Sequence, residues 1–211
     1  MVIRLVTFDL YGTLVDWRYG ISCALNYIRE GIADTFFERE FHIIRELKTY
    51  TPYIKVLEDV LRGVLGELGI DFREEYARLI AISFAKSPFF PDSIIGLMML
   101  KKNGYMTGII SNTDRDLVKI TLSGVEDLFD YLITAEDTGY YKPDERAFIN
   151  AYKLIGMDLD KVVHVSSYPQ YDLEPASRIG VKTIHLNRYG YNWANSIDNL
   201  EEILGKMRDY K

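Results

Sequence analysis

Residues 4–16 read RLVTFDLYGTLVD, and the fold follows from how that stretch is taken. Its first half, Leu5-Val6-Thr7-Phe8, is apolar or β-branched with no polar alternation, the pattern of a strand buried on both faces of a parallel sheet. A carboxylate, Asp9, follows directly, then Gly12 where the backbone must turn tightly, then the small hydroxyl of Thr13. Open α/β sheets place their sites at the carboxyl ends of their strands, where Asp9 would stand. An acid there needs partners, so the rest of the chain is read for strands that could deliver them.

From Ser87 onward, strands alternate with helices. YMTGII (105–110), YLITA (131–135), KVVHVS (161–166) and VKTIHL (181–186) read as strands, with helices expected over 93–103, 114–122, 145–155 and 173–179. That alternation predicts right-handed parallel crossovers and a sheet covered on both faces. The last residues, GYNWANSIDNLEEILGKMRDYK, read as a turn and an amphipathic helix that closes the domain.

Residues 17–86 differ in texture. They hold one proline, and their apolar residues recur at spacings of three and four, as in Ile21, Leu25, Ile28 and in Ile54, Leu57, Leu61, Leu65. About four helices are predicted there, broken near 31–35, at Thr51-Pro52 and near 69–72. The first strand has no neighbour in sequence, so the economical arrangement puts it in the later sheet. Residues 1–15 and 88–211 then form the core domain, and 16–87 a helical insertion.

Composition bounds the function. The 211 residues are 48% hydrophobic and 27% charged, an ordinary globular balance. A net charge of −6 without a Lys/Arg cluster argues against a nucleic-acid partner. The single cysteine, Cys23, cannot form an intramolecular disulfide and is expected as a small core hydrophobe. The longest apolar run, Ile94 to Leu100, is far too short for a membrane span, and no segment resembles a signal peptide. A soluble cytoplasmic protein without a membrane partner is the expectation.

Polar residues directly after buried strands supply the candidate chemistry. YMTGII leads to Ser111 and Asn112, YLITA to the loop GYYKPD with Lys142, and VVHVS to SSYPQYD with Asp172. Two carboxylates, a lysine and hydroxyl or amide donors would converge on one sheet edge. Singly, each has an ordinary explanation as a helix cap or a solvated charge, but their recurrence after separate strands points to a site. His164 and His185 fall inside strands and are expected to be structural, and His42 carries no specific signal.

In order and spacing these segments resemble the haloacid dehalogenase-like (HAD) hydrolase superfamily. FDLYGTLVD resembles its first motif, IISNT its second, GYYKPD its third and HVSSYPQYDLEPASRIG its fourth. The resemblance implies an α/β, Rossmann-like core with a central parallel sheet, an α-helical cap, and Asp9 as covalent nucleophile. It implies further that Thr13, Ser111 and Lys142 position or neutralise the reacting group, and that Asp172 is the fourth-motif acid. Asn112 and Ser166 complete the expected catalytic set.

Two departures from the phosphatases of this family sharpen the expectation. Tyr11 stands where they carry a second aspartate, and a phenol titrating near pH 10 is a poor acid for a leaving alkoxide. Ser166 and Ser167 replace a Gly-Asp pair whose Asp is a magnesium ligand, leaving Asp9 and Asp172 as the expected carboxylate ligands. Both departures suit a halide, which leaves as a stable anion and needs no proton. The Asp-x-Tyr-Gly-Thr form and the paired serines are similar to the L-2-haloacid dehalogenase branch. That branch implies attack of Asp9 on the carbon bearing halogen, an ester intermediate hydrolysed by water, no cofactor, and a small anionic substrate. It also implies a homodimer. Because the branch cradles halide with a cap arginine, Arg39 and Arg45 are substrate-binding candidates, together with Leu10, Tyr11 and Tyr171. Two other possibilities stay open. One is a phosphatase using Mg2+ on Asp9 and Asp172, favoured by the six-residue step from Ser166 to Asp172; the other is a catalytically weak binding protein.

Overall fold

The computed structural model describes residues 3–210. Six strands form one parallel sheet in the order β3-β2-β1-β4-β5-β6. They are β1 (Leu5–Phe8), β2 (Met106–Ser111), β3 (Tyr131–Thr134), β4 (Val162–Ser166), β5 (Lys182–Leu186) and β6 (Ser196–Ile197). The strand that opens the chain is central, as its unbroken apolar run demands: all four residues are buried. Leu5 faces the side covered by Phe148, Ala151 and Tyr152, whereas Val6 and Phe8 face the core of Leu97 and Leu100. Register places the site. Phe8 lies beside Ile109 and Val165, so Asp9, Ser111 and Ser166 emerge at one edge of the sheet.

Four helices separate β1 from the rest: α1 (Trp17–Ile28), α2 (Ala33–Glu46), α3 (Tyr53–Glu67) and α4 (Glu74–Ala85). Each buries one apolar stripe, that of α3 running Val56, Leu57, Val60, Leu61, Val64, Leu65. The chain leaves and re-enters through paired segments, with Val15 bridging Phe89, Asp16 N–H donating to the Pro88 carbonyl at 2.8 Å and Phe90 N–H to that of Leu14 at 2.9 Å.

The core helices are α5 (Ser93–Lys102), α6 (Arg115–Thr121), α7 (Ala135–Thr138), α8 (Glu145–Ile155), α9 (Glu174–Arg178) and α10 (Ile203–Met207). Three sequence expectations change. The C-terminal segment contributes β6 before a helix of only five residues, because two residues, Ser196 and Ile197, pair with β5 and leave no periodic signal. The strand YLITA stops at Thr134, whose capping box with Asp137 starts α7 at Ala135. Cys23 is exposed rather than a core residue, because Ile21, Ala24 and Leu25 take the inward face of α1. No helix among the described residues is long and apolar enough to cross a membrane.

Candidate active site

Asp9 sits one residue past β1, tied down by its N–H to the Val165 carbonyl at 3.0 Å. Gly12 then turns the chain at φ 89°, and a Cβ there would stand 2.0 Å from the Tyr168 hydroxyl oxygen, so both backbone and space require glycine. The turn aims Thr13 back at the acid: its hydroxyl donates to Asp9 Oδ2 at 2.7 Å and accepts from Ser167 N–H at 3.0 Å.

Lys142 arrives from the loop after α7, held by a two-point clamp. Asn112 Oδ1 accepts from its N–H at 2.7 Å and Asn112 Nδ2 donates to its carbonyl at 2.8 Å. The ammonium spends its three protons on Asp9 Oδ1 at 2.9 Å, Asp172 Oδ1 at 2.6 Å and the Ile110 carbonyl at 2.9 Å. With Lys142 only 2% exposed, this is a buried carboxylate–ammonium–carboxylate bridge. Burial raises Asp9 to about 6 against the pull of Lys142, with the Asp172 charge adding to the rise. Burial works the same way on Asp172, but Lys142 and His164 outweigh it and hold that carboxyl below the ordinary value. On Lys142, burial favours the neutral form, and the two carboxylates outweigh it and raise the ammonium's pKa.

Asp172 has a support that the sequence did not reveal. His164 Nε2 lies 3.0 Å from Asp172 Oδ1, and Nδ1 lies 3.0 Å from the Thr7 hydroxyl, which is 2.9 Å from that of Tyr152. Burial lowers the imidazole pKa and favours the neutral form, and the ionised carboxylate can only accept, so Nε2 carries the proton and Thr7 donates to Nδ1.

Of the other expected residues, Ser111 lines the cavity over Asp9, and its buried hydroxyl has no partner among the described residues. Ser166 accepts from the Tyr168 N–H at 3.1 Å, and Ser167 donates to the Leu186 carbonyl. Tyr11 lines the cavity but turns its hydroxyl to Thr121 at 2.6 Å, and burial raises that phenol far above its usual range. Tyr171 stands at the rim, donating to the Phe41 carbonyl at 2.9 Å.

Three substrate-binding candidates do not line the Asp9 cavity. The Leu10 side chain is wholly buried in the core, while its carbonyl accepts the N–H groups of Thr13, Leu14 and Val15. Arg39 pairs with Glu67 of α3, lies against Gly63 and does not line the Asp9 cavity. Arg45 is exposed and lines a separate outer cleft of about 820 Å³. The charged α2 residue that does line the Asp9 cavity, beside Phe41 and Ile44, is Glu40, 6% exposed and raised to about 7 by burial against the hydrogen bond from Tyr53 and the charge of Arg18. Its signal lay in the sequence: it sits three or four residues from Phe36, Phe37 and Ile44, an acid on an apolar stripe. Arg18 lies over the rings of Phe37, Phe41 and Tyr189 in the outer cleft and gave no such signal.

The donor set fits a divalent cation poorly. The Asp9 and Asp172 oxygens that would bracket the ion are joined by the Lys142 ammonium, both paired serines are engaged with backbone, and no group of three His, Cys, Asp or Glu among the described residues could hold a metal.

Comparison with known proteins agrees with this geometry. Residues 3–180 match the model of the haloacid dehalogenase-like hydrolase family. An (S)-2-haloacid dehalogenase of Pseudomonas putida is 30% identical over 191 residues, 87% of this chain and 84% of that protein. A glyceraldehyde 3-phosphate phosphatase of Pyrococcus furiosus is 27% identical over 203 residues, 89% of this chain and 82% of its own. A solved L-2-haloacid dehalogenase superposes with a TM-score of 0.87 at 24% identity, covering 99% of this chain and 100% of the other, a likeness of fold. An aspartate one residue beyond a central strand, bridged by lysine to a second aspartate, in a chain matched by that model over most of its length, makes this protein a member of the haloacid dehalogenase-like hydrolase family.

Proposed function

We propose that the protein hydrolyses the carbon–halogen bond of small 2-haloacids, with Asp9 as nucleophile, the four-helix segment as the cap over the site, and no metal. The observation that carries this assignment is Tyr11, which stands where a phosphatase of the family carries its second aspartate and turns its hydroxyl to Thr121, offering no acid to a leaving alkoxide. Ser166 and Ser167 are engaged with backbone, and Lys142 is left to neutralise Asp9 and Asp172.

Asp9 Oδ1 or Oδ2 attacks the carbon bearing halogen, the carbon–halogen bond breaks with inversion, and halide leaves with the electron pair. Lys142 holds the carboxylate in place and stabilises the charge it redistributes. Ser111, free of protein partners, takes the substrate carboxylate. Asp172, fixed by Lys142 and His164, orients the water that attacks the ester carbonyl. The bond from that carbonyl carbon to the substrate oxygen breaks, one water proton passes to the departing alkoxide to give the 2-hydroxyacid, and the other is released as Asp9 returns as a carboxylate.

The phosphatase relative and the fourth-motif spacing favour the second possibility, phosphate-ester hydrolysis. Chloride release from (S)-2-chloropropionate in EDTA, run beside phosphate release from monoesters with Mg2+, separates the two. The dehalogenase assignment expects chloride without metal and a loss of about 10³-fold or more in Asp9→Asn. Phosphate release that depends on Mg2+, with no chloride, overturns it.

A further inference from the structure

Glu40 reaches the nucleophile's cavity from α2, and the chemistry above does not use it. Its carboxyl is buried, and the Tyr53 hydroxyl donates to Oε1 at 2.9 Å. Oε2 takes no hydrogen bond from any described residue, and Arg18 acts on Glu40 only through its charge, without an ion pair. Holding Tyr53 uses one oxygen, and the second, which is not among the fully buried unpartnered atoms, is left open to the cavity. Across the same cavity the Ser111 hydroxyl is also without a partner. The cavity is small, about 60 Å³, so one compact ligand can meet both.

The chemistry of that ligand is constrained at each end. With Glu40 ionised, above its pKa of about 7, a carboxylate or halide against Oε2 would set anion against anion, and an alkyl group would leave Oε2 unpaired. A hydroxyl satisfies it, donating to the free oxygen within the space of one heavy atom. We propose that Glu40 is a specificity-determining residue whose free oxygen accepts a hydrogen bond from a substrate hydroxyl beside the reacting carbon, so that the preferred substrates are hydroxylated small 2-haloacids, with Ser111 on the carboxylate. The inference rests on the dehalogenase assignment for its reaction. A site built to pair a substrate hydroxyl discriminates strongly against the analogue that lacks it, here by about 10²-fold or more in kcat/KM.

The test compares chloride release from 2-chloro-3-hydroxypropionate and 2-chloropropionate by the wild-type chain, Glu40→Gln and Glu40→Met. It adds calorimetric binding of glycerate and lactate, the two products, which differ by that one hydroxyl. The wild type should prefer the hydroxylated substrate by about 10²-fold and bind glycerate about tenfold tighter than lactate. Glu40→Gln should keep part of both preferences and Glu40→Met should lose them. Equal kcat/KM for the two substrates in the wild type overturns the Glu40 assignment and leaves dehalogenation standing. No chloride from either, with a glycerate preference that Glu40→Met removes, supports the hydroxyl site and overturns dehalogenation instead. Phosphate release that Glu40→Gln abolishes would make Glu40 a proton donor and overturn the inference. If Glu40→Met does not fold, the wild-type and Glu40→Gln comparisons still decide.

Discussion

Asp9 and Asp172 share one ammonium yet shift in opposite directions: at Asp9 burial, with the charge of Asp172 behind it, outweighs Lys142 and Thr13, whereas at Asp172 Lys142 and His164 outweigh burial. The division suits their tasks: Asp172 stays ionised throughout, and Asp9 is the group whose ionisation limits attack. Asp9 is reactive only above its pKa of about 6, so kcat/KM for chloride release should fall toward tenfold per unit below that pH. A pH–rate profile from 4.5 to 9 checks this, and a flat acid limb would count against Asp9 as nucleophile. Glu40 makes a stability prediction with a definite sign. Its pKa is raised from 4.5 to about 7, so its favourable contribution is complete below pH 4.5 and is lost as pH rises through 7. Glu40→Gln should therefore gain on the wild type by up to about 3 kcal/mol between pH 4.5 and 8, read by denaturant unfolding at both pH values. A gap that does not change with pH would contradict a Glu40 carboxyl whose pKa burial raises.

At the scale of elements, the four-helix segment is fastened to the core through Asp114. Helix α3 begins after Pro52 with no capping side chain of its own. Asp114, from the residue preceding α6, supplies the cap instead: it accepts from Tyr53 N–H at 2.6 Å, Ile54 N–H at 2.9 Å and the Tyr50 hydroxyl at 2.8 Å. Asp114→Ala should cost about 2–4 kcal/mol in unfolding free energy and raise KM by loosening Tyr53 and Glu40 over the cavity. A variant as stable as the wild type would show that the cap contributes nothing. These elements were largely legible in the sequence. The strand ends exposed Asp9, Lys142 and Asp172 because buried parallel strands are unbroken apolar runs, and a polar residue after one is conspicuous. The four helices were legible from their stripes. Glu40 was legible in principle as an acid on such a stripe, but Arg39 and Arg45, on the same helix, drew attention through a family expectation, although neither lines the Asp9 cavity. What each helix faces is decided by packing between helices, which spacing along one helix does not encode. His164 was hidden for a related reason: a residue inside a strand contacts whatever the neighbouring loop brings back over it, here Asp172.

For the whole molecule, two cavities share a rim. Phe41, Tyr168 and Tyr171 line both the small chamber over Asp9 and the outer cleft that holds Arg18 and Arg45. The Phe41 ring packs on Tyr168 and Tyr171 at 5.8 and 5.2 Å, closing helix onto core between them. A compact substrate drawn through the outer cleft would thus leave water behind before meeting Asp9. The sheet, its register and the Lys142 bridge all serve one claim, that Asp9 forms a covalent ester. A single turnover of (S)-2-chloropropionate in ¹⁸O-water, with enzyme in excess, tests it by mass spectrometry of the peptide carrying Asp9. The account predicts ¹⁸O in the Asp9 carboxylate and unlabelled lactate. Labelled lactate with an unlabelled Asp9 peptide would mean that water attacks the substrate directly, and would contradict it.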